Sequence, residues 1–262
     1  MFGCLWQWFH MGIGIDKMVM KEVKPVDILA IGVHPDDVEL ACCGTLALQI
    51  DQGNTVGLLD LTRGEKGTRG NAEIRTQEAF QSAKLMSAAF RYQLDLDDCF
   101  FEYNSENIVS IVKIIRASKP KIVFANALSD RHPDHGRAAK LIRDACFYSG
   151  LIKIETEWNQ ELQEAWRPQA VYHYIQDHQE KPDFVMDISK YIDKKIKLIS
   201  CFKSQFYNPE STEPNSPISS KEFMEFVRSA SRVMGRWIHV DYGEGFHLAR
   251  PAGLKNIFHL DL

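Results

Sequence analysis

A chain of 262 residues suits one large domain with a modest extension, and 45% hydrophobic with 25% charged residues allows a full globular core. The net charge of −4 lacks the basic bias of a nucleic-acid partner, and no apolar run is long enough to span a bilayer. Six cysteines without CxxC spacing argue against a disulfide framework or a zinc-cysteine site, and for a reducing, cytoplasmic compartment.

Residues 1–24 read as an extension ahead of a single α/β domain over 25–262. Its stretch "MFGCLWQWFHMGIGIDKMVMKE" is aromatic and apolar, begins without lysine or arginine and lacks a small-residue cleavage site, so it does not read as a secretory signal. The "GIGI" within it has no preceding strand and no third glycine, which rules out a dinucleotide fingerprint. A natural start at Met18 or Met20 and a docking tail both remain open.

From Asp27 the pattern alternates short apolar runs with longer amphipathic ones. Asp27 to Val33 predicts a strand, Val38 to Gln52 a helix, and Thr55 to Leu61 a second strand after a Gly53-Asn54 turn. The polar loop "TRGEKGTRGN" follows, open to reading as a lid or as a static connector. A helix over "AEIRTQEAFQSAKLMSAAF" and a short strand at Tyr92 to Leu94 come next. The acids of "LDLDDC" read as a solvated loop. A helix from Glu106 to Ala117, the strand "PKIVFAN", the loop "ALSDRHPDHGR" and a helix to about Ser149 complete the clearer part. Beyond Gly150, "PQAVYHYI" and "DFVMDIS" predict strands and Ser189 to Phe202 a helix, with a proline- and serine-rich surface loop over "KSQFYNPESTEPNSPISS". Strands apolar on both faces and separated by helix-length segments imply a Rossmann-like, mostly parallel sheet flanked by helices.

Two strands end in the same chemistry. His34-Pro35-Asp36-Asp37 lies just past the first strand and Arg131-His132-Pro133-Asp134-His135 just past the fourth. Ligands of open parallel sheets bind beyond the carboxyl ends of strands where strand order reverses. If those strands are neighbours, His34, Asp36, Asp37, His132, Asp134 and His135 share one crevice. Adjacent carboxylates repel, and a cation between them favours both ionised forms. Two imidazoles and a carboxylate are a common ligand set for catalytic zinc, leaving the second acid free to take a proton from water. One His-Pro-Asp-Asp alone could be a turn with a helix cap; the second His-Pro-Asp, followed at once by His135, points to a shared metal site.

These motifs carry a family resemblance. "HPDDVE" with "RHPDHG", over almost the whole chain from Val26, resembles the PIG-L/LmbE-like zinc N-deacetylases, which remove acetyl from N-acetylglucosamine conjugates. "LTRGEKGTRGNAEIRTQEA", "DRHPDHGRAAKLIRDACFYSGL", "KSQF" and "YGEGFH" are closest to the bacillithiol-biosynthesis branch, which deacetylates N-acetylglucosaminyl malate. The resemblance implies zinc ligands at His34, Asp37 and His135, a general base at Asp36 and substrate-binding arginines at Arg75 and Arg131. It also implies that His132 stabilises the tetrahedral intermediate or protonates the leaving amine, with Asp134 orienting it. The cofactor implied is Zn2+; histidine and carboxylate ligands also accept Fe2+. Family likeness further implies self-association. Some relatives add a tyrosine near the acyl oxygen that has no assigned counterpart here; the C-terminal candidates include Phe223, which lacks the hydroxyl, so the residue completing the oxyanion site is not identified.

His173, His178, His239 and His259 read as structural or exposed, and His247 in "GEGFH" as a candidate neighbour of the site. Cys42 and Cys43 read as packed in the first helix. Other N-acetylglucosamine conjugates, such as an inositol conjugate or a chitin fragment, are alternative substrates. A non-catalytic sugar-binding relative is the alternative from another class. A nucleotide-binding protein is disfavoured, because the first strand-helix turn has acids where a phosphate loop needs glycines.

Overall fold

The computed structural model describes residues 22–256, so the expected extension up to Lys21 and His259 lie outside the described residues. Strand β1 (Ile28–Gly32) is buried along its whole length because both faces of the sheet are covered. Its side chains alternate: Ile28 and Ala30 enter one core cluster, Leu29 and Ile31 the other. β2 (Val56–Asp60), β3 (Phe90–Gln93), β4 (Ile122–Ala125) and β7 (Ala170–Tyr174) run parallel to β1. β8 (Phe184–Asp187) and β9 (Gly243–Leu248) extend the sheet, with β9 antiparallel to both neighbours. The seven-stranded order is β3-β2-β1-β4-β7-β9-β8. β1 pairs with β4, Ile28 opposite Ile122, so the order reverses where the sequence places both His-Pro-Asp turns.

The expected helix over Val38 to Gln52 is two helices, α1 (Asp37–Ala41) and α2 (Cys43–Asp51), broken at Cys42. The cause lies far along the chain. Glu244, in β9, accepts the backbone N–H groups of Gly44 (3.0 Å) and Thr45 (2.6 Å), capping a new helix start. Lys195 neutralises that carboxylate at 2.6 Å, and both side chains are buried. Local periodicity cannot report such a contact. Cys42 and Cys43 are fully buried, as expected.

Helices α3 (Ala72–Met86), α5 (Pro133–Tyr148) and α6 (Ile192–Ile199) fall within the anticipated segments, and α4 (Ser105–Ser118) extends one residue beyond its expected segment at each end. α4 and α5 cover one face through Ile111, Ile115, Leu141 and Ile142. α1, α2 and α3 cover the other through Val38, Leu46 and Met86. Three elements lie outside the sequence expectations: β9, helix α7 (Lys221–Arg236), and a two-stranded ribbon, β5 (Glu157–Trp158) with β6 (Glu161–Leu162). α7 has a legible start, since Ser220 caps it by accepting the N–H of Phe223 at 3.1 Å. Among the described residues no helix is long and apolar enough to cross a membrane.

Candidate active site

The end of β1 turns sharply through Pro35, and the carboxylate of Asp37 folds back to accept the N–H of His34 at 2.9 Å. From the end of β4, Asn126 donates to the same oxygen at 2.9 Å, and Gln176, just beyond β7, donates to the other at 3.1 Å. α5 begins at Pro133, a favoured first-turn position, with His132 as its N-cap. That start brings His135 round so that its Nε2 lies 3.1 Å from Asp37 Oδ1. His34 Nδ1 lies 3.7 Å from Asp37 Oδ2. Nitrogens of His34, His132 and His135 all come within 4.8 Å of one another. The two turns therefore meet at the strand-order reversal.

The outward nitrogens of the two imidazoles explain what the inward ones are for. His34 Nε2 meets Asp98 at 3.1 Å, and His135 Nδ1 is hydrogen-bonded to Asp130. Metal-binding histidines commonly have a carboxylate behind them, which sets the tautomer and makes the free nitrogen a better donor. Here both histidines have one, and both free nitrogens face Asp37. That donor set fits a divalent cation. Asp98, expected in a solvated loop, is instead 2% exposed, because the loop after β3 folds over His34. The signal that could have found Asp98 and Asp130 is the need for an acid behind each candidate ligand histidine. Asn126 and Gln176 carried no signal in the sequence.

Asp98→Asn should weaken metal binding about 10–100-fold, the usual cost of losing such a partner. Asp95→Asn, on the same loop with a side chain 84% exposed, should leave it unchanged. Competition against a chromophoric chelator measures both, and equal affinities would remove the assigned role of Asp98.

The surrounding carboxylates also set the charge of both rings. Burial opposes a charge on His34, but Asp134, Asp37 and Asp98 outweigh it and hold its pKa well above the ordinary imidazole value. Burial likewise opposes charge on His135, and Asp37 and Asp130 nevertheless raise its pKa to about 9. Without metal, both rings carry protons at neutral pH. For the fold alone, this contributes stability that is full below the ordinary imidazole pKa and is lost as pH rises towards about 9. Metal binding needs neutral rings, so it expels protons and its affinity runs the opposite way, increasing with pH. A titration in weak buffer at pH 7 should release about two protons per ion, and affinity should fall about a hundredfold between pH 7 and 6. Proton-neutral binding would contradict this charge arrangement.

Asp36 points elsewhere. Its Oδ2 accepts from Arg75 Nη2 at 3.2 Å, and both residues are buried. Arg75 Nη1 donates to the carbonyl of Gly64 at 2.9 Å. Gly64 has φ +64°, and a Cβ there would sit 2.0 Å from Arg75 Nη1, so only glycine allows this approach. Arg75, expected at the substrate, spends one bond from each Nη on the protein, to Asp36 and to Gly64, an arrangement that fits positioning of Asp36. Further bonds pin the adjoining loop: Lys66 N to Asp98 (2.9 Å), Gln205 to the carbonyl of Arg69 (2.8 Å), and Gly70 N to Glu213 (2.9 Å). They favour the static connector over the lid. Arg131 is half-exposed at the cavity wall and donates to Asp177 at 2.8 Å.

The expected support of His132 by the Asp134 carboxylate is corrected. Asp134 Oδ2 lies 3.5 Å from His34 Nε2 and accepts the N–H of Cys99, while Oδ1 lies 3.3 Å from Arg137. Only the backbone N–H of Asp134 reaches His132, at Nδ1 (3.3 Å). Capping the helix with the His132 ring turns the Asp134 side chain towards His34 instead. Burial and the neighbouring His34 and His135 lower the pKa of His132, which keeps this ring neutral. His247 pairs with Glu180 and Asp183, away from the cavity lining, whereas Glu244 of the same segment does line it. His173 is buried on β7, and His178 and His239 are exposed.

The cluster opens into a cavity of about 310 Å³. One lining is polar, with Lys66, Thr68, Arg131 and His132, and another is apolar, with residues of α1 and α7.

A known family pattern, PIG-L, described as GlcNAc-PI de-N-acetylase, matches residues 29–146. That span contains both His-Pro-Asp turns. The crystal structure of the conserved protein TT1542 from Thermus thermophilus is similar over 88% of this chain and 98% of that one, with 31% identity and a TM-score of 0.77. The diacetylchitobiose deacetylase of Thermococcus kodakarensis is 29% identical over 189 residues, 68% of this chain and 70% of that protein. GalB, the 4-carboxy-2-hydroxymuconate hydratase from Pseudomonas putida, shares the fold at 19% identity and a TM-score of 0.69, over 89% of this chain and 99% of that one.

Proposed function

This chain belongs to the PIG-L family, and on that footing we propose that it is a metal-dependent N-deacetylase of an N-acetylglucosamine conjugate, with N-acetylglucosaminyl malate as the preferred substrate. The observation that carries the reading is the division within one turn: Asp37 faces two carboxylate-backed imidazoles, while Asp36, one residue away, is held apart by Arg75. His34, Asp37 and His135 are the proposed ligands, and zinc is the proposed ion. When bound, the ion supplies polarisation of the acyl carbonyl and a lowered pKa for water.

The remaining work belongs to the side chains. Asp36 removes a proton from the water that attacks the acyl carbon. His132 accepts the Asp134 N–H at Nδ1, so its single ring proton sits on Nε2, available to the oxygen on which negative charge collects. The amide C–N bond breaks, and the proton held by Asp36 passes to the departing amine. Acetate and free amine are the products. Asp134, through His34, acts as a positioning residue. Arg131, at the cavity wall, offers a guanidinium fork for the malate carboxylates. The preference for the malate conjugate rests on the resemblance of "LTRGEKGTRGNAEIRTQEA" and "DRHPDHGRAAKLIRDACFYSGL" to that branch. Unpaired cysteines at positions 42, 43, 99, 146 and 201 support a reducing, cytoplasmic setting.

A substrate panel tests the proposal: acetate release from N-acetylglucosaminyl malate, an N-acetylglucosaminyl inositol and N,N'-diacetylchitobiose. The malate conjugate should have the highest kcat/KM. Preference for either alternative would move the substrate assignment and leave the chemistry standing. The likeness to GalB carries a second reading, hydration of an unsaturated acid on the same fold. No acetate from any member, with water addition to a muconate-type acid, would establish that reading instead.

A further inference from the structure

An acetyl methyl is small, yet the apolar lining of the cavity is large. It begins one helical turn after Asp37, at Leu40 on α1, and continues through Ile218 and along α7 by way of Phe223, Phe226, Val227 and Met234. Leu40, Ile218 and Phe223 pack with Val227, and the Phe223 ring stacks on Phe206 at 6.0 Å, so much of this wall is braced from behind. Lys195, Glu244 and Ser231, the polar side chains beside these residues, make their bonds within the protein. Lys195 and Glu244 are bound to each other, with Glu244 also engaged by Gly44 and Thr45, and the Ser231 hydroxyl donates to the carbonyl of Val227 at 3.1 Å. A glycan finds its polar partners on the other lining, at Lys66, Thr68, Arg131 and His132.

We propose that the α1–α7 side of the cavity is an acyl subsite for N-acyl chains longer than acetyl, so that the enzyme is a broader N-deacylase. This rests on the deacetylase reading above. With the scissile carbonyl at the donor cluster, the sugar on the polar lining and a polar aglycone at Arg131, the acyl chain is the part left to meet the apolar wall. The reaction is unchanged in balance: water supplies oxygen to the acyl carbon and a proton to the amine, releasing a longer carboxylate in place of acetate. Each added methylene that leaves water should raise kcat/KM about three- to fourfold until the wall is covered.

The test is kcat/KM for glucosamine conjugates of one aglycone carrying acetyl, propionyl, butyryl, hexanoyl or octanoyl groups, measured with metal-loaded full-length protein. A rise from acetyl to a longer optimum is the expected result. Ala230→Phe, which adds bulk to the same lining, should move that optimum back towards acetyl. A steady fall from acetyl onwards overturns the subsite while leaving deacetylation intact, whereas no turnover of any member overturns the deacetylase reading itself. A parallel series of methyl to octyl glycosides of N-acetylglucosamine separates the two apolar sources. A gain there, with none in the acyl series, assigns the wall to the aglycone and removes the acyl proposal.

Discussion

Asp36→Asn should keep its metal and lose turnover by about 10²–10⁴-fold, the usual contribution of a positioned general base. The amide oxygen of asparagine still accepts from Arg75, so the turn retains its shape while the proton acceptor disappears. Substrate affinity should change far less than kcat. Asp37→Asn, one residue away, should have the opposite signature. It removes the carboxylate that faces both imidazoles, so metal content and activity should fall together. Metal analysis and steady-state kinetics on both variants decide the matter. Metal lost from Asp36→Asn but kept by Asp37→Asn reverses the assignment, and near-normal turnover in both removes the mechanism.

Arg91→Met should destabilise the fold by about 3–5 kcal/mol, the range for removing one partner of a buried ion pair. Arg91 is fully buried on β3 and binds Asp60 through Nε (2.8 Å) and Nη2 (2.7 Å). It also binds Glu39 through Nη1 at 2.6 Å and reaches the carbonyl of Pro35 within the site turn. Methionine fills similar space but leaves two buried carboxylates without a counter-ion. Burial already raises the pKa of both acids, with Arg91 opposing it. A raised carboxyl pKa means the fold binds protons more tightly than the unfolded chain, so stability increases as pH falls through that window. The deficit of Arg91→Met should therefore shrink from pH 8 to pH 5. Urea unfolding across that range measures it; a loss below about 1 kcal/mol, or one independent of pH, would show that the buried charges are satisfied in some other way.

The two turns of the candidate site are legible because their signals are local. An apolar strand that stops at His-Pro-Asp says where the chain turns and which side chains it presents there. Repetition of the pattern after "PKIVFAN" supplies the partner loop, and the usual strand order brings the two together. Groups whose role depends on distant chain were not legible. Asp98 looks like one acid among several, and only the fold of its loop over His34 distinguishes it from exposed Asp95. The break at Cys42 depends on Glu244, far along the sequence. The carboxylate of Asp134 follows a helix-cap geometry that residue types alone do not encode. β9, with glycines at both Gly243 and Gly245, has poor intrinsic strand propensity and is held by pairing with β7 and β8. Arg91 is a charge inside a short strand, a position where hydrophobic patterning expects none.

Metal-dependent deacetylation is tested by acetate release from N-acetylglucosaminyl malate, followed with a single preparation that is chelated, dialysed and then reloaded with zinc. Activity should disappear on chelation and return in proportion to metal bound, reaching its plateau at about one ion per chain. Reloaded Asp36→Asn should bind the same ion and remain nearly inactive. Undiminished acetate release by fully chelated protein would exclude a metal-dependent reaction, and equal turnover by reloaded Asp36→Asn would exclude Asp36 as its base.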